Sequence, residues 1–593
     1  MSVDSSNFYE DNLDIKFHID SVIDWDKIVP LKEQDFKDYK IYQETGDETY
    51  AFSFGNVADG VEMYKSILEG LGQISAKELK ENARPIDEQG FQFKAGKVIF
   101  PEPMKKNVSV LIENGYMGLL SPRKYGGMQV PNTVNVMAIE LVSTGDVGCG
   151  TLVFCQDLAD IIARFSTSEE QKAKWITKIA SGEMGAAMLL TEPNFGSDLQ
   201  NAQTKAEFKD GQWRITGTKM WITHGAPHTE AGTVYLTVAR TVKKSDGTLK
   251  TGGGGLSLLI AHSNDAEIVS LEHKLGIHSS PTVMLSLDNT PGELVGEEGK
   301  GLTEYTMALM NAARLTVAAQ SVGASEIALR EAKKYANERV QFGVLIKEIP
   351  AVAQMLREME ISVQASRALT YHTAWVVDIY EGLEQKFRNE GVDPKEWKKD
   401  EEYNKYAKLM KILTPFAKYY AAEEANTNAY KAIQVHGGVG FSEEYDVARI
   451  YRDARILSIY EGTSQLQVVA AIGGVSEGYS KENSIFLTYQ KSLRERVKTP
   501  DALKEHFGRL VESEKMILGI IETFKAASKE FKGAYQGELV WAAAMVFISH
   551  LFLDMASRSE TKIDFAKDFI NETQVKVRMI TDKIALQSRD RAF

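Results

Sequence analysis

The feature that most constrains this chain is a change of texture along its length. Residues 186–295 carry short runs of β-branched and aromatic residues separated by turn dipeptides, whereas the chain on either side reads as helix. Within the β-type block, Asp210-Gly211 sits between two alternating segments, a strong hairpin signal. Residues 233–238 and 283–287 read as further strands, and Asp246-Gly247 with the glycines at 252–255 supply turn chemistry. That glycine run lacks the strand-to-helix setting of a dinucleotide-binding fingerprint, which argues against a Rossmann unit.

Before the block, residues 61–71, 134–142 and 158–165 are predicted helices, with breaks at Pro101, Pro103 and Gly126-Gly127. After it, Leu315, Ala318, Ala319 and Val322 fall at i, i+3, i+4 and i+7 and mark a buried helical stripe. A charge-dense stretch near 381–406 is expected to be an exposed insertion. Gly473-Gly474 and the polar residues 476–483 suggest a linker to a last helical region. The expected fold is α+β. Its parts are an N-terminal extension with a helical domain (1–184), a middle β-barrel or sandwich domain (185–300), a C-terminal four-helix-bundle domain (301–475) and an added helical domain (476–593).

A chain of 593 residues exceeds what one core supports, so several domains are expected. The net charge of −13 argues against nucleic acid as a partner, because phosphate neutralisation needs a basic face. It leaves room for an anionic ligand held by a few local cations. Two cysteines, Cys149 and Cys155, cannot build a disulfide framework and read as buried thiols in a reducing compartment. The acidic N-terminus has no apolar signal region, and the apolar run at 539–553 reads as a core helix, so the expected location is cytoplasmic. No His/Asp/Glu set shows metal-ligand spacing, and no metal is expected; His278 and His436 read as ordinary polar residues.

Five segments stand out together: 190–198 (Leu-Thr-Glu-Pro-Asn-Phe-Gly-Ser-Asp), 219–223 (Lys-Met-Trp-Ile-Thr), 339–343 (Arg-Val-Gln-Phe-Gly), 434–441 followed by Arg449, Tyr451, Arg452 and Asp453, and 459–465 (Ile-Tyr-Glu-Gly-Thr-Ser-Gln). In this order and spacing the set resembles the acyl-CoA dehydrogenase family over roughly residues 80–475. One departure is Phe195, where the family usually has a small residue. The long N-terminus and C-terminal addition are similar to those of larger bacterial members, including very-long-chain and 3-methylmercaptopropionyl-CoA dehydrogenases.

The resemblance implies FAD as cofactor and removal of the α-proton of an acyl-CoA thioester by a carboxylate, with transfer of the β-hydride to the flavin. Glu461 would be that base. Some relatives place their carboxylate just before the arginine matching Arg314, and here that position is Ala313. Leu190, Thr191 and Ser197 would contact the flavin or its phosphates, and Trp221 and Thr223 would flank the ring. Arg339, Gln341, Phe342, Gln434, Gly437 and Gly438 would reach the adenosine-pyrophosphate half on a neighbouring subunit, while Thr463 and Gln465 would also touch FAD. Arg314, Tyr460 and Gly462 would lie on the substrate side. The resemblance further implies an electron-transfer flavoprotein as acceptor and a homo-oligomer, with a homodimer expected. Alternatives from the residues are an oxygen-using acyl-CoA oxidase, a dehydrogenase of a specialised acyl-CoA, and a non-catalytic flavin or acyl-CoA scaffold.

Overall fold

The computed structural model describes residues 5–495 and 498–590. The chain forms two compact units. One holds the chain up to Asp11, Lys32–Thr316 and Ser442–Ile456; the other holds Asn12–Leu31, Val317–Phe441 and the chain from Leu457 on.

In the first unit a small hairpin, β1 (Gln92–Lys94) and β2 (Lys97–Ile99), precedes a closed barrel. The barrel-region strands are β3 (Gly185–Leu189), β4 (Lys205–Lys209), β5 (Gln212–Thr223), β6 (Thr233–Arg240), β7 (Leu256–His262), β8 (Glu267–Leu271) and β9 (Thr282–Val295). The ring runs β6-β4-β5-β9-β7 and closes because β7 pairs back onto β6; β3 lies parallel on β6, and β8 pairs with β9. Asp210 and Gly211 both hold left-handed backbone (φ 52° and 78°), as a two-residue turn between twisted strands requires. Every residue of β6 is buried. Val234, Leu236 and Val238 join Trp175, Ile176 and Ile179 of the Glu169–Ala180 helix in one core. This is why residues 233–240 read as a continuous apolar strand instead of an alternating one.

The second unit is helical. Pro350–Asn389 and Glu401–His436 run antiparallel, with Ser362 meeting Asn428 and Tyr380 meeting Tyr403. Between them, Trp397 is buried, donating its indole N–H to the Val392 carbonyl and stacking on Phe387, so the charged insertion is exposed over most of 385–402 but anchored at this residue. The expected linker is corrected in its first part: Gly473 and Gly474 lie inside the Ser464–Gly478 helix, and the chain leaves helix only over 479–484. A Cβ at Gly474 would come within 2.5 Å of Ile412 Cγ1, so the residue allows close helix packing and makes no break.

The helices Lys504–Ala526, Lys529–Arg558 and Ile563–Asp590 follow. Lys529–Arg558 is long and apolar enough to cross a membrane, but 94% of its apolar window is buried in the protein, as for a core helix. The other apolar stripe, Leu315, Ala318, Ala319 and Val322, is buried as its spacing predicts.

A buried ion network ties distant parts of the second unit. Arg367 donates to Asp14 (2.6 Å) and to Glu326 (2.9 Å), Arg330 donates to Glu326 (2.7 Å), and Lys562 reaches Asp14. Burial alone would raise the Glu326 carboxyl, but the charges of Arg330 and Arg367 outweigh it and hold the group near about 2. A carboxyl depressed in the folded state stabilises above its unfolded value of 4.5 and loses that contribution as pH falls toward about 2. The part of the urea midpoint contributed by Glu326, read as the difference from a Glu326→Gln protein, is expected to hold steady from pH 7 to 5 and fall below pH 4.5. Arg367→Met, which leaves Asp14 to Lys562 alone and Glu326 to Arg330 alone, should cost up to about 3–5 kcal/mol at pH 7 in the same assay.

Candidate active site

The sequence-flagged residues divide between the two units. In the first, Leu190 is buried at the end of β3 and Thr191 follows it half-buried. The Thr191 carbonyl accepts from the Met220 amide (3.0 Å), which brings this segment against β5. There the β5–β9 register shifts between Lys219 and Ile222, so Met220 and Trp221 form a bulge. Trp221 takes φ 60°, unusual for a residue with a Cβ, and its indole is 53% exposed. Thr223 is half-buried at the strand end, and Ser197 is exposed on the loop after β3, where the Asn201 side chain donates to Asp198 (2.7 Å).

Two residues that sequence reasoning passed over hold this corner together. Lys219, fully buried, donates to Glu192 Oε1 (2.9 Å), to the Leu190 carbonyl (3.2 Å) and to the Val238 carbonyl (3.0 Å). Glu192 also accepts from the Gln203 (2.6 Å) and Thr204 (3.0 Å) amides. A lysine at an inward position of an alternating strand, matched to a glutamate in an otherwise apolar segment, is the signal that could have found them.

The signature residues at 449–453 make structural bonds within the first unit. Asp453 accepts from the Ile277 amide (2.5 Å) and from Arg449 (3.4 Å). Arg452 and His278 both reach Asp87, at 2.5 and 2.7 Å. The hydrogen bond to Asp87, outweighing burial, raises the His278 pKa. Arg314 is buried on its helix and bonds Asn311 (3.1 Å). Among the described residues no group of three or more His, Cys, Asp or Glu could hold a metal.

In the second unit, Arg339 follows the Met307–Glu338 helix, and its carbonyl accepts from the Ile346 amide to start a tight hairpin. The strands β10 (Val340–Gln341) and β11 (Val344–Leu345) carry Phe342 at the tip, left-handed at φ 52° and 92% exposed. Tyr335, one turn earlier, stacks on His436 at 4.4 Å, which sets this hairpin beside the end of the Glu401–His436 helix. Gln434, Gly437 and Gly438 are exposed there, and nothing lies within 4 Å of a Cβ built on either glycine. An exposed aromatic beside open, side-chain-free backbone and an arginine suits the close approach of a ligand with a planar ring and an anionic group.

Glu461 stands in the segment before the Ser464–Gly478 helix. It is half-buried and holds φ 52°, and Gly462 follows at φ 86°. Gln467 spans the turn from below, donating to the Gly462 carbonyl (2.8 Å) and the Glu461 carbonyl (3.3 Å). Thr463 caps the helix by accepting from the Leu466 amide, and Gln465 is exposed on its first turn. The Tyr460 hydroxyl bonds Gln320. The turn therefore presents a carboxylate from strained backbone, a feature that clusters at reactive sites.

Comparisons with known proteins decide the family. Family models match in sequence order: the acyl-CoA dehydrogenase N-terminal domain over 62–183, the middle domain over 187–290, and the C-terminal domain over 299–386 and 397–472. A 3-methylmercaptopropionyl-CoA dehydrogenase of Ruegeria pomeroyi is 33% identical over 429 residues, covering 69% of this chain and 70% of that one. The chain belongs to the acyl-CoA dehydrogenase family.

Solved structures agree with this. Butyryl-CoA dehydrogenase from Megasphaera elsdenii shares 28% identity at a TM-score of 0.57, covering 70% of this chain and 98% of that one. An acyl-CoA dehydrogenase from Bacillus anthracis, complexed with FAD, shares the fold at a TM-score of 0.72 and 21% identity, covering 89% and 88%. The family's C-terminal model skips 387–396, within the charged insertion, and ends at 472, before the last helices. As an acyl-CoA dehydrogenase the chain is an oxidoreductase of CH–CH bonds in acyl-CoA thioesters.

In this dehydrogenase the Glu461–Gly462 turn leaves little freedom. A Cβ on Gly462 would come 2.8 Å from Gln467 Nε2, on backbone that already favours glycine. Gly462→Ala is expected to destabilise by about 1–3 kcal/mol, measured by urea unfolding, and the loss should persist in a Gln467→Ala background because the left-handed backbone remains.

Proposed function

We propose that this protein catalyses FAD-dependent α,β-dehydrogenation of a medium- or long-chain fatty acyl-CoA to the trans-2-enoyl-CoA. The observation that carries the reading is Glu461, a half-buried carboxylate held by strained backbone in the Tyr-Glu-Gly-Thr segment. Members of the family bind FAD, and the residues present fit it. The exposed Trp221 and the hydrogen-bonded Leu190–Thr191 segment would hold the ring. Ser197, Thr223, Thr463 and Gln465 would contribute hydroxyl, amide and backbone groups. Arg339, Gln341 and Phe342, with Gln434, Gly437 and Gly438, would hold the adenosine-pyrophosphate half from a second subunit, so a homodimer is the proposed assembly. When bound, FAD supplies the acceptor for the hydride leaving the β-carbon.

The chain's own residues do the rest. Glu461 would accept the α-proton at its carboxylate oxygen, and its backbone N–H would donate to the thioester carbonyl as charge develops there. Tyr460 and Gly462 would shape the substrate side of this turn, and Arg314 would serve as a substrate-side cation. Indole cover from Trp221 excludes water from the reacting face. Electrons would pass to an electron-transfer flavoprotein, and the working location is the cytoplasm. The Ruegeria relative favours a second reading, a specialised short acyl-CoA such as a 3-methylmercaptopropionyl thioester, on the same chemistry.

The test is anaerobic bleaching of the flavin across short, long, branched and sulfur-containing acyl-CoAs. Medium or long chains should bleach fastest, whereas preference for the sulfur-containing thioester would move the assignment to the second reading. No bleaching by any thioester would leave a binding scaffold. Stoichiometric peroxide at high turnover in air would make the enzyme an oxidase. Glu461→Gln is expected to keep FAD and lose about 10²–10⁴ in the bleaching rate; a wild-type rate would remove Glu461 from the role.

A further inference from the structure

We infer that Lys219 and Glu192 form a positioning pair that sets the two proposed flavin-facing edges of the barrel, Leu190–Thr191 and Trp221–Thr223, in one register. The inference rests on the reading of those edges as the cofactor face. It starts from hydrogen-bond counting. A lysine ammonium carries three N–H donors, and here each has its own acceptor: Glu192 Oε1, the Leu190 carbonyl and the Val238 carbonyl. Two of the three belong to the segment that carries Leu190 and Thr191, and the third anchors the group to the buried strand β6. Glu192 in turn collects the Gln203 and Thr204 amides, so the pair also closes the loop that bears Ser197.

The pair stands where the strand ladder stops holding the chain. The β5–β9 register runs regularly from Gly217 to Lys219 and resumes at Ile222, leaving Met220 and Trp221 out of the ladder. Across that gap the named restraints are the Met220 amide on the Thr191 carbonyl and the side chain of Lys219 itself. Trp221 sits there at φ 60° with its indole half in solvent, a conformation that relaxes unless its neighbours prevent it. Desolvation lowers the Lys219 pKa, and the Glu192 carboxylate opposes that shift. A buried ion pair gives little stability over an apolar replacement, so its contribution here lies in geometry.

The test compares the full-length Lys219→Met/Glu192→Gln double variant, which buries no unpaired charge, with the near-isosteric Glu192→Gln single variant. Trp221 is one of seven tryptophans, so its emission is read as the difference from a matched Trp221→Phe protein. In apoprotein the double variant should melt cooperatively, while the Trp221 difference emission shifts red and its acrylamide quenching constant at least doubles. On titration with FAD the dissociation constant should rise at least tenfold, with a smaller rise for Glu192→Gln. Difference emission and FAD affinity within twofold of the parent, in a folded double variant, would overturn the inference. Failure of both variants to fold would also overturn it, making the pair a general barrel stabiliser. If Trp221→Phe and Thr191→Val leave FAD affinity unchanged while the apoprotein emission still responds to the pair, the cofactor face is misplaced and the positioning role stands.

Discussion

Left-handed backbone at residues that carry a Cβ is the constraint on which the site depends. Trp221, Phe342 and Glu461 all hold φ between 50° and 60°. Such a conformation costs on the order of 1–3 kcal/mol for each residue and persists only where the surroundings over-determine it. The surroundings differ in each case. A bulge between two regular stretches of ladder holds Trp221, a two-residue hairpin turn completed by Gly343 holds Phe342, and Gln467 bonded across two carbonyls holds Glu461. In each case the result is a large or charged side chain turned out of its element, which is what a ligand-facing position requires.

Holding such strain needs a rigid frame, and the two units supply it differently. In the first, closure of the barrel leaves its ring without a free edge, and the helices around Trp175 cover one face of β6. In the second, the frame is a helix pair crossed by a buried ion network. Asp14 from the N-terminal segment and Lys562 from the last helical region meet at Arg367 of the long helix, with Glu326 and Arg330 completing the set. Residues more than five hundred positions apart are thus fastened by charges that cannot be left unpaired. The C-terminal helices share that unit with the bundle, although the family models end before them.

Much of this was legible in the residues. Period-two runs with Asp210-Gly211 marked the barrel hairpin, period-3.6 stripes marked the long helices, and the five short segments carried the family. The linker read at Gly473-Gly474 failed for a physical reason: glycine serves a chain break and a close helix contact equally well, and only the position of Ile412 distinguishes them. Lys219 and Glu192 were passed over because a charged residue within a strand reads as solvent-facing until the strand's other face is known to be covered. Likewise, His278 carries no local signal of the Asp87 carboxylate that pairs with it.

The sequence by itself determined the order of helical and β regions and the family, because each is a property of local spacing and motif order. Only the tertiary structure decided how that chemistry is held. Ring closure through β6 and β7, the three acceptors around Lys219, the stack of Tyr335 on His436 and the meeting of Asp14, Arg367 and Lys562 all join residues far apart in the chain. Which buried charge finds which partner is settled by packing, since the penalty for leaving it unpaired acts only after the elements have come together.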